Sequence, residues 1–148
     1  MTTISRFLGS DHKRCDDLFA NTETSVSNGQ WDQAATSLNE FVDAVERHFG
    51  MEEQVLFPTF EKAIGSTEGP TRVMRMEHEQ MRSMMAMLKD ALAKRDADDF
   101  FGHSDTFNTM VQQHNMKEET ILYQMSDRVL SGQQEQLISE MSGIGVTP

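Results

Sequence analysis

Four histidines have a spacing that could build one chemical site. They form two pairs, His12 with His48 and His78 with His114, and both pairs have the same internal spacing (48 − 12 equals 114 − 78). The second pair repeats the first at a constant interval, since 78 − 12 equals 114 − 48; we call this the repeat interval. Imidazole nitrogens bind transition metals, so a repeated pair of histidines predicts a repeated metal-binding unit.

A glutamate follows the second histidine of each pair at the same distance. Glu52 comes four residues after His48, and Glu118 comes four residues after His114. Four residues turn an α-helix by about 400°, so each glutamate would point to the same side as its histidine, one turn further on. Such pairs offer a metal ion both nitrogen and oxygen ligands.

The elements that must position these residues are predicted to be helices. Apolar residues recur mainly at spacings of three and four, and the chain has only three prolines, a pattern typical of amphipathic helices. A cap at Ser10 or Asp11 or an earlier start near Thr3 is equally compatible with the first helix. The predicted spans are about 10–27, 31–57 with a continuation past Pro58 to Ile64, 70–94, 97–125 and a short helix at 133–141.

The two halves of the chain agree beyond the histidines. Phe41, for example, falls on Phe107 at the repeat interval. We therefore predict a single domain over 1–148 with repeat copies at about 6–64 and 72–130. The predicted fold is all-α: an antiparallel up-down four-helix bundle with an internal pseudo-two-fold repeat and a short C-terminal helix.

Both glutamates lie in apolar stripes and not on polar helix faces. The predicted inner stripe of the fourth helix is Phe100, Phe107, Val111, His114, Glu118, Ile121 and Leu122. Carboxylates are rarely buried without a partner, so two carboxylates and four imidazoles in one core require compensating positive charge. Two divalent cations would supply it, and nitrogen and oxygen ligands without thiolate favour iron, then manganese or zinc. The alternative is a structural bundle whose core histidines are satisfied by hydrogen bonds.

The composition disfavours several kinds of partner. Thirteen basic and 24 acidic residues give a net charge of −11, which argues against binding to nucleic acid or to an anionic membrane surface. The N-terminus has no apolar leader, no apolar run has the length of a membrane span, and Cys15 has no second cysteine to pair with. These features predict a cytoplasmic protein.

The order of the six residues resembles that of the hemerythrin-like, HHE cation-binding family. The resemblance runs from His12 to about Tyr123 and implies an antiparallel four-helix bundle around a non-haem di-iron centre. It implies that two histidines hold each iron, with two bridging carboxylates and an oxo or hydroxo bridge between the metals. The residues concerned are His12 and His48 for one iron, His78 and His114 for the other, and Glu52 and Glu118 as bridges.

Two positions depart from the oxygen-carrying members of that family. The carriers have a fifth histidine where this chain has Met74, and an aspartate where it has Glu119. The resemblance therefore favours a protein that binds or reacts with O2 or NO in sensing, detoxification or stress response over a simple oxygen carrier. Iron storage or donation, repair of damaged iron centres, and a metal-dependent sensor without turnover remain alternatives.

The remaining reactive residues are assigned lesser roles. Cys15 is predicted to be a small buried filler, with a thiolate near the metal as the alternative. Tyr123 occupies the repeat position of Phe57 and is predicted to pack in the core, with redox activity as the alternative. Glu53 and Glu119 are predicted to lie at the surface or to support the ligands from outside.

Overall fold

Every regular element in the described part of the chain is helical. The computed structural model describes residues 2–145; Met1 and residues 146–148, the two ends of the predicted domain, lie outside the described residues. The all-α prediction is therefore confirmed. Across residues 2–145, none of the helices combines the length and the apolar character that crossing a membrane would require.

Seven α-helices and two π-helical turns make up most of this part of the chain. The α-helices are α1 (Ile4–Ser27), α2 (Trp31–Met51), α3 (Phe57–Ile64), α4 (Pro70–Ala93), α5 (Ala97–Lys117), α6 (Tyr123–Val129) and α7 (Gln134–Ser142). The π turn Glu52–Leu56 joins α2 to α3 without a break, and the π turn Glu118–Leu122 joins α5 to α6 in the same way. The two π turns are separated by the repeat interval, like the histidine pairs.

The first helix begins at the earlier of its two predicted starts. The side chain of Thr3 caps it by accepting a hydrogen bond from the backbone N–H of Arg6. Ile4 and Leu8 are fully buried, so the first two turns are held by core packing. A cap at Ser10 or Asp11 is therefore wrong, which leaves the Asp11 carboxylate free for another contact.

Local signals in the sequence explain the other helix boundaries. Gly65 ends α3 in the left-handed conformation, with φ of 72°, which favours glycine because other residues are strained there. Pro70 occupies the first turn of α4, where a missing N–H costs nothing. Asp96 caps α5 by accepting from the backbone N–H of Asp99 at 3.0 Å, and the charge also suits the helix N-terminus.

The helices pack around a core that has two apolar parts. Helix α1 contacts α2, α4 contacts α5, and two further seams, α2–α4 and α1–α5, bring the two hairpins together. One apolar cluster contains Phe19, Phe41 and Phe107. The other contains Leu8 and Phe57, together with residues of α7. The polar residues of the site lie between these two clusters.

Ile121 is the residue at which the predicted inner stripe is wrong. It is 52% exposed, whereas Leu122 and Tyr123 are buried. The π turn is wider than an α-helical turn, so residues after Glu118 are displaced around the helix relative to the predicted spacing of three and four. Its repeat partner Val55 is buried, in the π turn against which α7 packs.

Candidate metal centre

The structure brings all six predicted ligand residues into one buried layer. None of the six is more than 6% exposed, and Glu52, His78 and Glu118 are fully buried. Their ligand atoms form two overlapping groups in which every atom lies within 4.8 Å of the others. One group is Glu52, His78, His114 and Glu118; the other is His12, His48 and Glu118.

The Nε2 atoms of the histidines point inward to the two glutamates. His12 Nε2 lies 3.0 Å from Glu118 Oε1, and His114 Nε2 lies 3.3 Å from Glu118 Oε2. His78 Nε2 lies 3.1 Å from Glu52 Oε1, and His48 Nε2 lies 3.6 Å from the same oxygen. Each carboxylate therefore faces histidines from both copies of the repeat.

The Nδ1 atoms point outward, and each contacts a carboxylate. Asp11 accepts from His48 at 2.8 Å and Glu77 accepts from His114 at 2.8 Å. Asp11 and Glu77 are themselves separated by the repeat interval, so one contact repeats the other. An ionised carboxylate only accepts hydrogen bonds, so Nδ1 carries the proton in both histidines.

The other two histidines are held by the glutamates that follow the predicted ligands. Glu119 accepts from His12 Nδ1 at 2.7 Å, and Glu53 accepts from His78 Nδ1 at 2.7 Å. Both are thus supporting residues, one of the two roles predicted for them. A carboxylate on the outer nitrogen fixes the ring orientation and leaves the inner nitrogen with a lone pair for a metal.

Electrostatics in the layer favours the protonated forms of His48 and His78 in the metal-free protein. Burial alone would lower the pKa of His48, but the charge on Glu52 and the hydrogen bond to Asp11 outweigh it and raise the pKa to about 10. Burial would likewise lower the pKa of His78, but the close contact with Glu52 and the hydrogen bond to Glu53 outweigh burial and raise the pKa to about 9. Protons therefore compete with a metal for these nitrogens.

The carboxylates show the opposite shift. Burial would raise the pKa of Glu53, but its bonds to His78 and Arg82 lower it to about 2. The pKa of Asp11 is also about 2, because its bonds to His48 and Arg14 outweigh burial. Asp11 and Glu53 therefore remain ionised at neutral pH and keep accepting from His48 and His78.

Four buried atoms of the layer lack a hydrogen-bond partner among the described residues. They are Glu52 Oε1, Glu118 Oε2, His78 Nε2 and His114 Nε2. The short distances between them lack the alignment that a hydrogen bond requires. An unsatisfied buried polar group costs about 1–3 kcal/mol, so four in one place are unusual in a protein core. All four are ligand atoms of a single group of possible metal-binding residues, so the donor set fits a cation.

Comparison with known proteins agrees with this geometry. The profile of the Hemerythrin HHE cation binding domain matches residues 3–126. The chain belongs to this hemerythrin family. An uncharacterized hemerythrin-like protein from Schizosaccharomyces pombe is 29% identical over 119 residues, which cover 80% of this chain. The aligned region covers 57% of that longer protein, and no solved structure matches the chain.

The π turns of this hemerythrin domain explain why the sequence pattern did not predict that the Tyr123 hydroxyl reaches the site. Five residues of an α-helix rotate by about 500°, which would direct Tyr123 about 140° away from Glu118. In a π turn the hydrogen bond spans five residues, so a residue and the fifth one after it come near the same face. The expected role in core packing is therefore incomplete: the ring is buried, but its hydroxyl reaches the site.

The Tyr123 hydroxyl sits among four of the predicted ligands. It donates to Glu52 Oε2 at 2.7 Å and lies 3.1 Å from Glu118 Oε1. The Nε2 atoms of His12 and His48 are 3.2 Å and 3.3 Å away. Burial, with the charges on Glu118 and Glu52, raises the pKa of Tyr123 well above its usual value. The phenol therefore remains a donor at neutral pH.

Two other residue types that can bind metals, the thiol of Cys15 and the imidazole of His103, lie outside both groups of possible ligands. Cys15 is buried, and burial raises the pKa of its thiol to about 12, so the thiolate required for metal binding is scarce at neutral pH. Neither group of possible ligands among the described residues includes it. His103 lies beside Asp99 on a partly exposed part of α5, away from the buried layer.

Proposed function

We propose that this hemerythrin domain holds two iron ions and binds a small diatomic ligand, O2 or NO, in sensing, detoxification or stress response. The four unpartnered ligand atoms in a fully buried layer carry the proposal. Two overlapping groups of ligand atoms are what a pair of neighbouring metals needs. Mixed nitrogen and carboxylate ligation favours iron over zinc or manganese.

In the proposed assignment each metal receives two histidines and shares the glutamates. His12 and His48 would hold one iron, and His78 and His114 the other. Glu118 belongs to both groups of possible ligands, which supports a bridging role. Glu52 falls in only one group but lies within 3.6 Å of His48 Nε2, so we assign it the second bridge.

The residues around the ligands orient them and control protons. Asp11, Glu53, Glu77 and Glu119 keep the Nδ1 protons outside, so that each Nε2 lone pair faces inward. The Tyr123 hydroxyl donates its proton to Glu52 Oε2, with the two oxygens 2.7 Å apart, where it can offset the carboxylate charge. Bound iron would supply a redox-active Lewis acid with positions open to an exogenous ligand.

Ligand binding is favoured here over iron storage or donation. A donor must release its metal, whereas all six proposed ligands are buried and four are held by carboxylates from outside. Slow exchange of the metal with the solution is expected of a cofactor that stays bound to the protein. Loaded protein should therefore lose iron to an external chelator over hours, and loss within seconds would favour the donor role.

The proposal also includes the arrangement of the helices and the cellular location of the protein. We place the four long helical segments in an antiparallel up-down bundle over the single predicted domain; the short connections and the contacts between α1 and α2 and between α4 and α5 support this arrangement. We place the protein in the cytoplasm, because its single cysteine is suited to a reducing compartment.

Metal counting and one spectrum test the proposal. Protein loaded with Fe²⁺ without oxygen should retain two irons per chain, and adding NO should change its ultraviolet–visible spectrum. His48→Ala should reduce the iron content, whereas His103→Ala, which removes the histidine outside the site, should not. Less than one iron per chain, or an unchanged spectrum with NO, would contradict the proposal.

A further inference from the structure

A small cavity adjoins the proposed metal centre on one side. Its volume is about 40 Å³, and three of the four histidines line it: His12, His48 and His114. His78 is absent from the lining because the ring of Phe49 lies on it, with the ring centroids 3.8 Å apart. The rest of the wall is mainly apolar and continues into the Phe41 and Phe107 cluster.

The cavity reaches solvent between α1 and α5. Its wall residues on α2 and α4 are buried. Its exposed or half-buried wall residues are Asp16 on α1 and Asn108, Val111 and Asn115 on α5. The opening is therefore the α1–α5 seam.

The equivalent seam of the other copy is closed. At the repeat interval, Asp16 corresponds to Arg82, and Asn115 corresponds to Phe49. The Arg82 guanidinium lies over the Phe49 ring at 5.0 Å from its centroid and donates to Glu53 at 3.1 Å. A cation on an aromatic ring, held by an ion pair, covers the α2–α4 seam above His78.

We propose that the α1–α5 seam is the route by which a small neutral ligand reaches the His12 side of the centre, and that the cavity holds this ligand. The inference rests on the proposed function and specifies the path and the ligand class. A cavity needs a volume of about 10–15 Å³ to hold one water molecule, so a cavity of about 40 Å³ admits a molecule of two or three atoms and is small for an organic substrate.

Charge at the mouth selects among such small molecules. Asp16 is exposed at the opening, and the whole chain carries a net charge of −11. A negative rim slows the approach of anions, while neutral O2 and NO are unaffected. The apolar part of the wall also favours a neutral molecule, because an anion loses hydration as it passes along it. The route therefore favours NO over azide, although both bind iron.

Association rates in stopped flow test the route. Asn115→Phe installs the residue that closes the other seam, and we expect it to slow NO association with the reduced, iron-loaded protein on the order of tenfold. Gln113→Phe places the same ring on an exposed position of α5 and serves as the matched control, with an unchanged rate. Asn115→Ala should bind NO no more slowly than wild type. Asp16→Asn should speed azide association more than NO association.

Xenon provides a readout that does not depend on iron chemistry. Crystals of the zinc-loaded protein under xenon pressure should show xenon in the cavity of the wild type and of Asn115→Ala, and none in Asn115→Phe. If Asn115→Phe fails to fold, Asn115→Ala still decides: slower NO association, or xenon elsewhere, overturns the inference.

The outcomes separate the two proposals. If wild-type protein with two irons binds NO, and Asn115→Phe binds it at the same rate, the route is wrong and the proposed function stands. If the iron-loaded wild type does not bind NO at all, the proposed function is wrong and the route falls with it.

Discussion

The surroundings of His12 and of His78 differ, although the ligands themselves repeat. Tyr123 stacks against His12 with ring centroids 5.6 Å apart, whereas its counterpart Phe57 stacks against His78 at 5.7 Å without a hydroxyl group. Three other pairs also differ, and in each of them the larger side chain belongs to the His78 side. These pairs are Asn115 against Phe49, Asp16 against Arg82, and Cys15 against Met81.

In the proposed centre, this difference gives the two copies of the ligand set unequal access to solvent. The ligands and their outer carboxylates repeat, so both halves are equipped to hold a metal. The residues between the ligands and solvent do not repeat, so Phe49 and Arg82 cover His78, whereas His12, His48 and His114 line a cavity. In the proposed centre, the metal held by His12 and His48 is therefore the one better placed to meet an incoming ligand, because both of its histidines line the cavity.

The largest expected effect is on metal retention when a glutamate is neutralised. Glu118 belongs to both ligand groups and Glu52 to one. Glu118→Gln should therefore lose most of both metals. Glu52→Gln should keep roughly one per chain, because Glu52 lies closer to His78 Nε2, at 3.1 Å, than to His48 Nε2, at 3.6 Å, and its loss should weaken chiefly the metal on the His78 side. Metal analysis of the purified variants checks this. Equal losses in the two variants would remove the distinction between the glutamates.

Removing the metals should produce an unusual dependence of stability on pH. The pKa of His48 rises from 6.5 in the unfolded chain to about 10 in the fold, so folding favours its protonated form. That contribution is complete below pH 6.5 and is lost as pH rises through about 10. Chelated protein should thus lose unfolding free energy on the order of a few kcal/mol over this interval, by urea denaturation.

Metal-loaded protein should behave differently over the same interval, because a metal takes the place of the inner proton. Its unfolding free energy should exceed that of the chelated protein most at the alkaline end. A chelated protein that becomes more stable from pH 7 to 10 would show that His48 does not hold a proton in the metal-free fold.

The outer carboxylates should matter less, and unequally. Losing such a partner typically weakens metal binding about 10–100-fold. Glu53 also anchors Arg82 in the closed seam, whereas Glu119 has a side chain that is 47% exposed. Glu53→Gln should therefore weaken metal affinity more than Glu119→Gln, as measured by competition with a coloured chelator. A larger loss of metal affinity in Glu119→Gln than in Glu53→Gln would contradict the role of Glu53 in holding Arg82 over the α2–α4 seam.

Tyr123→Phe should have the smallest effect, because it makes the His12 half resemble the other. The variant loses the hydroxyl that donates to Glu52, which should cost about 1–2 kcal/mol of unfolding free energy. The metal content should stay at the wild-type value while the absorption spectrum of the iron-loaded protein shifts. Phe57→Leu, which removes the other stacked ring but no hydroxyl, is the control for spectral effects of packing.

Some of the centre could be predicted from the sequence because it depends on local periodicity. The spacing of His48 and Glu52, repeated at His114 and Glu118, places each pair on one face of any regular helix. The apolar stripes showed that this face is buried. Those facts rest on neighbouring residues of one helix, so no tertiary information was needed.

Other features arise only between helices or from a departure from regular geometry. Asp11 seemed suited to a helix cap, but it accepts from His48 on the next helix, and nothing local indicates that contact. Ile121 turns outward and the Tyr123 hydroxyl reaches the site because a π turn adds a residue to the turn after Glu118. A spacing of three and four residues between apolar positions assumes a regular α-helix, so it cannot predict that shift.

The sequence by itself determined that this protein has a duplicated set of histidines and glutamates on buried helix faces, because helical periodicity connects spacing to direction. Only the tertiary structure decided that the two copies are unequal. Asn115 leaves its seam open and Phe49 closes the equivalent seam, and each outcome depends on which helix faces the residue. The distance across each seam is set by packing between helices that are far apart in the chain.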